Sequence, residues 1–155
     1  MLIVKYKGDL YNVDESNSFE DGKIEIFAYE KKEGFSQQKY PKAIISSKRV
    51  ERSELEALYD IEFYAVWNGE RFEFSIQDGI QSIRLWRFTR STELAEKYNF
   101  RMTARDEYEK EVPMKECEHF IMIQRDYDDL NNSAKEVIMQ IDEFLPLYRK
   151  FVYGM

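Results

Sequence analysis

Residues 59–89 read YDIEFYAVWNGERFEFSIQDGIQSIRLWRFT. Two dipeptides, Asn68-Gly69 and Asp78-Gly79, divide this stretch into three runs of alternating apolar and polar residues. Both suit type I′ turns, whose two central residues need positive φ. A two-residue loop at Asn68-Gly69 sets Trp67 opposite Glu70, Ala65 opposite Phe72, Phe63 opposite Phe74 and Ile61 opposite Ile76. A second at Asp78-Gly79 sets Phe74 opposite Ile83 and Phe72 opposite Leu85. The two registers agree. One face collects Ile61, Phe63, Ala65, Phe72, Phe74, Ile76, Ile83 and Leu85, and the other Glu62, Tyr64, Arg71, Glu73, Ser75, Arg84 and Trp86. Glu73 then lies opposite Arg84 and Arg71 opposite Trp86, both favourable cross-strand pairs. A one-residue slip would turn the apolar set to solvent. The stretch therefore predicts an antiparallel meander of strands 61–67, 71–77 and 81–88.

Upstream, Leu2, Val4 and Tyr6 alternate with Ile3, Lys5 and Lys7. A two-residue turn at Gly8-Asp9 would set Tyr6 opposite Tyr11 and Val4 opposite Val13. KIEIFAYE at 23–30 and KAIISS at 42–47 read as strands, and the polar stretches 14–22 and 31–42 as loops. Ser53 and Glu56 have capping-box spacing for a short helix. Downstream, Ser91 and Thr92 precede LAEKY and predict a helix at about 92–98. Residues 100–112, highly charged, read as an extended edge segment before Pro113, and EHFIMIQ at 118–124 as a strand. From Ser133 the period changes. Ala134, Val137, Ile138, Ile141, Leu145, Tyr148 and Val152 recur at three and four residues, the spacing of one helical face. Ser133 and Glu136 have capping-box spacing, and Pro146 predicts a kink or break near 142–145. The expected fold is α+β. An antiparallel sheet of about five to seven strands, centred on the meander, packs against an amphipathic helix at about 133–152. Ile138, Ile141 and Leu145 would then dock on Phe72, Phe74 or Leu85.

A chain of 155 residues predicts one domain, 1–155. With 43% hydrophobic residues, 11 Phe, 11 Tyr and 2 Trp, it has the material for a packed core. Its net charge of −7 argues against the whole protein binding nucleic acid or an anionic membrane. The single cysteine, Cys117, excludes an internal disulfide framework and suits a reducing compartment. The apolar run at the N-terminus is short for a signal peptide. No stretch approaches the roughly 18 to 20 apolar residues of a spanning helix. The expected location is the cytoplasm.

Few residues point to chemistry. Cys117 and His119 lie two apart on a strand, and so on one face. A nucleophile and base are usually brought together from distant elements, so a half-buried thiol beside a boundary imidazole accounts for the pair. No further Cys or His exists to complete a zinc site, and the six glycines form no phosphate loop. DYDDLNNSAKE at 126–136 resembles a calcium loop in outline, but Asn131 stands where the sharp turn needs glycine. Among 30 acidic residues no catalytic pair stands out. The sequence points to no cofactor, no metal and no catalytic residue.

Two features suggest a binding surface. Charge is segregated: residues 84–105 carry +4 and residues 106–130 carry −6. Such blocks serve as a solvated face or steer a partner of opposite sign. The candidate binding residues of the acidic block are Glu107, Tyr108, Glu109, Glu111, Tyr127, Asp128 and Asp129, with the two tyrosines as anchors. The second candidate surface is the outer face of the meander: Tyr64, Arg71, Arg84 and Trp86, extended by Val66 and Phe88. Trp, Tyr and Arg are enriched at binding hot spots, although another element could cover this face as a second core layer.

In its size, acidity, aromatic-rich meander and C-terminal helix, the chain resembles the small immunity proteins that bacteria make against polymorphic or contact-dependent toxins. It resembles equally many uncharacterised short bacterial proteins. The first resemblance implies a non-enzymatic protein-binding domain that neutralises a basic toxin or nuclease through an acidic surface. The alternative is a small-molecule binding domain or enzyme, with an apolar pocket between the sheet and the C-terminal helix. A third is a nucleic-acid contact through the basic block at 84–105, with Trp86 and Phe88 interleaved, against which the net charge counts.

Overall fold

Period-two alternation dominates the chain, and the backbone follows it into strands. The computed structural model describes every residue except Glu20, 77–80, Leu130, 132–133 and 153–155, and the side chain of Asn17. Two compact units result. Unit 1 comprises Met1–Glu62, Ile123–Glu136 and Glu143–Met155, and unit 2 comprises Phe63–Met122 and Val137–Asp142.

Unit 1 contains β1 (Leu2–Tyr6), β2 (Asp9–Asp14), β3 (Lys23–Ala28), β4 (Ser36–Tyr40), β5 (Ala43–Glu51) and the first half of β6 (Ala57–Trp67). Their order in the sheet is β4-β5-β3-β2-β1-β6, each neighbour antiparallel. Alternate residues of each strand share a face. Leu2, Val4 and Tyr6 therefore meet Tyr11, Val13, Ile24, Ile26, Val50 and Leu58 in one core. The first hairpin turns at Lys7-Gly8, with φ of 50° and 83°, and not at Gly8-Asp9. Tyr6 faces Asp9 and Val4 faces Tyr11, two residues from the expected register. A slip of two keeps every apolar side chain on its face, so the pattern does not oppose it. The expected loop at 31–42 contains β4, all five of whose residues are exposed. A strand wet on both sides carries no alternation to read. The expected helix after Ser53 is a single 3-10 turn, Arg52–Glu54, in which the Glu54 carboxylate accepts the Glu51 N–H at 2.9 Å.

Unit 2 contains the second half of β6, then β7 (Glu70–Ile76), β8 (Ser82–Phe88), α1 (Glu93–Tyr98), β9 (Arg101–Ala104), β10 (Glu107–Pro113) and the start of β11 (His119–Asp126). Strand order is β6-β7-β8-β10-β9. β6, β7 and β8 form the expected meander. Asn68 and Gly69 have φ of 49° and 74°, and Ala65 faces Phe72, Val66 faces Arg71 and Trp67 faces Glu70. The second register is corrected by two residues. Phe74 faces Leu85 and Ile76 faces Ile83, while Glu73 meets Trp86 in place of Arg84. The turn expected at Asp78-Gly79 lies outside the described residues. On the inner face Phe72, Ile76, Ile83, Leu85, Tyr108 and Val112 are buried. α1 closes over it, with Trp67 in edge contact with Tyr98 at 5.3 Å and Phe72 stacked on Phe100 at the same distance. Asn99, at φ 58°, ends α1 in the left-handed conformation, and Phe100 follows into the core.

The C-terminal reading needs the largest correction. Residues 135–139 form a strand, β12 (Lys135–Met139), which pairs with β11, itself a neighbour of β6. The helix, α2, begins only at Ile141 and ends at Val152, running through Pro146 without a break. Met139 is buried and Ile138 is 63% exposed, the alternation of a strand. Val137 and Ile138 are β-branched and fit a pleated surface better than a helix. α2 buries Phe144, Tyr148 and Phe151, while Ile141 and Leu145 are only half-buried. The three buried aromatics belong to unit 1, where the Asn12 side-chain amide donates to the Phe151 carbonyl at 2.8 Å. The expected docking of Ile138, Ile141 and Leu145 on Phe72, Phe74 or Leu85 does not describe this helix. Ser133, the expected cap, lies outside the described residues. With twelve strands and two short α-helices among the described residues, the protein is mainly β, not an α+β fold of five to seven strands. Among the described residues no helix is long and apolar enough to cross a membrane.

Candidate functional site

The outer face of β7, β8, β10 and β9 in unit 2 unites residues that the sequence keeps about twenty positions apart. Phe74, Leu85 and Lys110 define the inward parity, so Glu73, Trp86 and Glu109 point the other way as one cross-strand row. The next row is Ser75, Arg84 and Glu111, and Phe88 lies beside Glu107 at the other end. The acidic ladder of β10 thus runs alongside the aromatic and basic residues of β8. Trp86 and Phe88 touch edge to face at 5.7 Å, with rings at 90°. Trp86 is half-buried, whereas Phe88 is 62% exposed, the most open aromatic side chain among the described residues.

Each β10 carboxylate has a different neighbour. Glu109 takes a bond from the Arg101 guanidinium at 2.6 Å, across the β9–β10 hairpin. Glu111 accepts from the Ser82 hydroxyl at 2.6 Å and Glu107 from the Thr103 hydroxyl at 2.8 Å. Hydroxyl donors orient a carboxylate without cancelling its charge. A cleft of about 420 Å3, lined by Arg84, Arg101, Glu109, Lys110 and Glu111 among others, opens beside the ladder. Charged side chains of both signs thus share one face with Trp86 and the exposed Phe88.

The two candidate surfaces are redrawn. Glu107, Glu109 and Glu111 join Arg71, Arg84 and Trp86 on one face. Tyr108 points inward and is 3% exposed, so it anchors the core and not a partner. Tyr64 is half-buried and Val66 is buried on β6. Tyr127, Asp128 and Asp129 belong to unit 1. There Tyr127 stacks on Phe19 at 5.6 Å under the Arg52 guanidinium, which also pairs with Asp128. Arg101 was read only as part of the basic block at 84–105, and Thr103 not at all, because only the β9–β10 pairing brings them to the ladder. Cys117 is half-buried. Burial first, then the Glu116 and Glu118 carboxylates, push its thiol up to about 11. A nucleophile needs the opposite shift.

A family described as Uncharacterised conserved protein UCP033725 matches residues 3–128. No curated protein and no solved structure matches the chain.

Proposed function

We propose a protein-binding function for this chain, which belongs to the uncharacterised conserved protein family UCP033725. The binding face is the outer side of β7, β8 and β10, and the partner is a protein with a basic surface. What carries the proposal is the exposed Phe88, backed by half-buried Trp86 and set directly against the β10 glutamate ladder. Aromatic rings supply contact area that holds a complex together, and they cluster at energetic centres of interfaces. The carboxylates of Glu107 and Glu111, held by hydroxyls, keep their charge and favour a cationic approach. Neutralisation of a basic toxin or nuclease, the role of the immunity proteins that the sequence resembles, is the form of this function we favour.

A photo-crosslinking residue at position 88, with one at Tyr40 in unit 1 as control, tests it in cells of the source organism. The expected result is a basic protein captured only from position 88. Purified, it should associate more slowly as salt rises, and Glu107, Glu109 and Glu111 reversed to Lys should cut the on-rate about tenfold or more at low salt. Phe88→Ala should mainly raise the off-rate. The proposal fails if no protein is captured specifically from position 88. It fails equally if the triple mutant keeps the wild-type rate and salt slope.

A further inference from the structure

A second site lies in unit 1, where the sheet leaves space under α2. The face of β2 and β3 turned away from the Ile24–Ile26 core presents Phe27, directly opposite Asn12. With Leu10 and Tyr29, these residues and the C-terminal half of α2 enclose a groove of about 330 Å3. That volume is at the lower end of the range for small-molecule sites. Phe27 and Tyr29 meet edge to face at 5.5 Å and 86°, offering a ring face and a ring edge to an occupant. From α2 come Pro146 and Lys150, four apart and so on the same helical face.

Two contacts hold the groove's shape without a ligand. Asn12 ties the end of α2 to β2 through the Phe151 carbonyl at 2.8 Å. Ser46, fully buried, donates to the Glu30 carbonyl at 2.7 Å and accepts the Lys32 N–H at 3.0 Å, which fixes the Tyr29–Glu30 rim. The charges at the mouth are unequal. Glu30 is already paired with Lys32 at 3.0 Å. Lys150 has no carboxylate partner among the described residues; its ammonium lies 6.0 Å from the Phe151 ring centre.

We propose that this groove binds a small aromatic monocarboxylate, with its ring system between Leu10, Phe27 and Pro146 and its carboxylate at Lys150. An apolar body matches the walls, and one negative charge matches the Lys150 ammonium that lines them. Asn12 uses one N–H of its side-chain amide on Phe151, which leaves its side-chain oxygen to accept from a hydroxyl or amine on the ligand.

Calorimetric titration of the full chain with 2-naphthylacetate and the neutral 2-naphthylacetamide tests this. The carboxylate should bind about three- to fivefold more tightly than the amide, the usual yield of one solvent-accessible ion pair, and the preference should shrink as salt rises. Lys150→Gln should bring the two affinities together. Leu10→Trp, a substitution at a partly exposed strand position that leaves the core intact, should abolish binding of both while the circular dichroism stays unchanged. Failure of 2-naphthylacetate to bind at millimolar concentration overturns the proposal, as does binding that survives Leu10→Trp. Equal affinity of carboxylate and amide in the wild type overturns it too. The groove and the β8–β10 face lie in different units, so each can fail without the other.

Discussion

Cys117 shows how environment sets the role of a reactive residue. The 3-10 turn at Met114–Glu116 carries it into a half-buried position, its N–H bonded to the Met114 carbonyl at 3.1 Å. Removal from water disfavours the thiolate, and flanking Glu116 and Glu118 disfavour it further, so the thiol loses its proton only near pH 11. At pH 8 the thiolate fraction is then about 0.1%, against roughly a quarter for a free cysteine. Iodoacetamide should label Cys117 in the folded chain about a hundredfold more slowly than in urea, and the rate should climb about tenfold per pH unit from 8 to 10. A rate that levels off near pH 8.5 would show an unperturbed thiol. The same shift has a stability consequence. The folded state keeps the proton that the unfolded state releases, so this group's contribution is whole below about pH 9 and is lost as pH rises toward 11.

Among the elements, α2 and β12 test how the C-terminal stretch is divided. A helix from Ser133 would bury Ile138 on the same stripe as Ile141. The strand-then-helix arrangement exposes Ile138 to 63% and buries Phe144 completely. Phe144→Ala should cost about 3 to 5 kcal/mol in urea unfolding, the range for emptying a buried aromatic site. Ile138→Ala should cost under about 0.5 kcal/mol, as surface substitutions do. The reverse order would restore the long helix. Both periods are present in KEVIMQIDEF, which is why local pattern alone could not choose between them. Residues 135–139 gain a strand partner in β11, which lies outside this window.

For the whole molecule, strand outweighs helix heavily: α1 has 6 residues and α2 has 12. The amide I band in infrared absorption should peak in the β-sheet region, with only a minor helical component. A helix-dominated spectrum would reject the fold. Net charge acts at the same scale. At −7 the chain repels other acidic proteins, and long-range attraction to a basic partner should fade once the Debye length falls to about 8 Å at physiological salt. Charge steering of this kind belongs to the molecule, whereas in the proposed complex affinity would rest on the few residues around Phe88.

The alternation in residues 59–89 by itself determined the meander, its two faces and the Asn68-Gly69 turn, because strand parity and positive-φ turns are local properties. Which residue faces which was decided in tertiary structure. The observed pairs Val4 with Tyr11 and Phe74 with Leu85 each differ by two residues from the expected Val4 with Val13 and Phe74 with Ile83. That step leaves every side chain on its face, so hydrophobic burial scarcely discriminates against it. β4 was illegible for a related reason: all its residues are exposed, and a two-sided wet strand has no apolar period. The candidate site followed the same division. Glu107, Glu109, Glu111, Arg84 and Trp86 could be picked out from residue type. That they form one face, that Tyr108 is turned away from it, and that Arg101 reaches Glu109 depend on β10 lying between β8 and β9. The free energy selecting that arrangement comes from pairing segments distant in sequence, and no local window contains it.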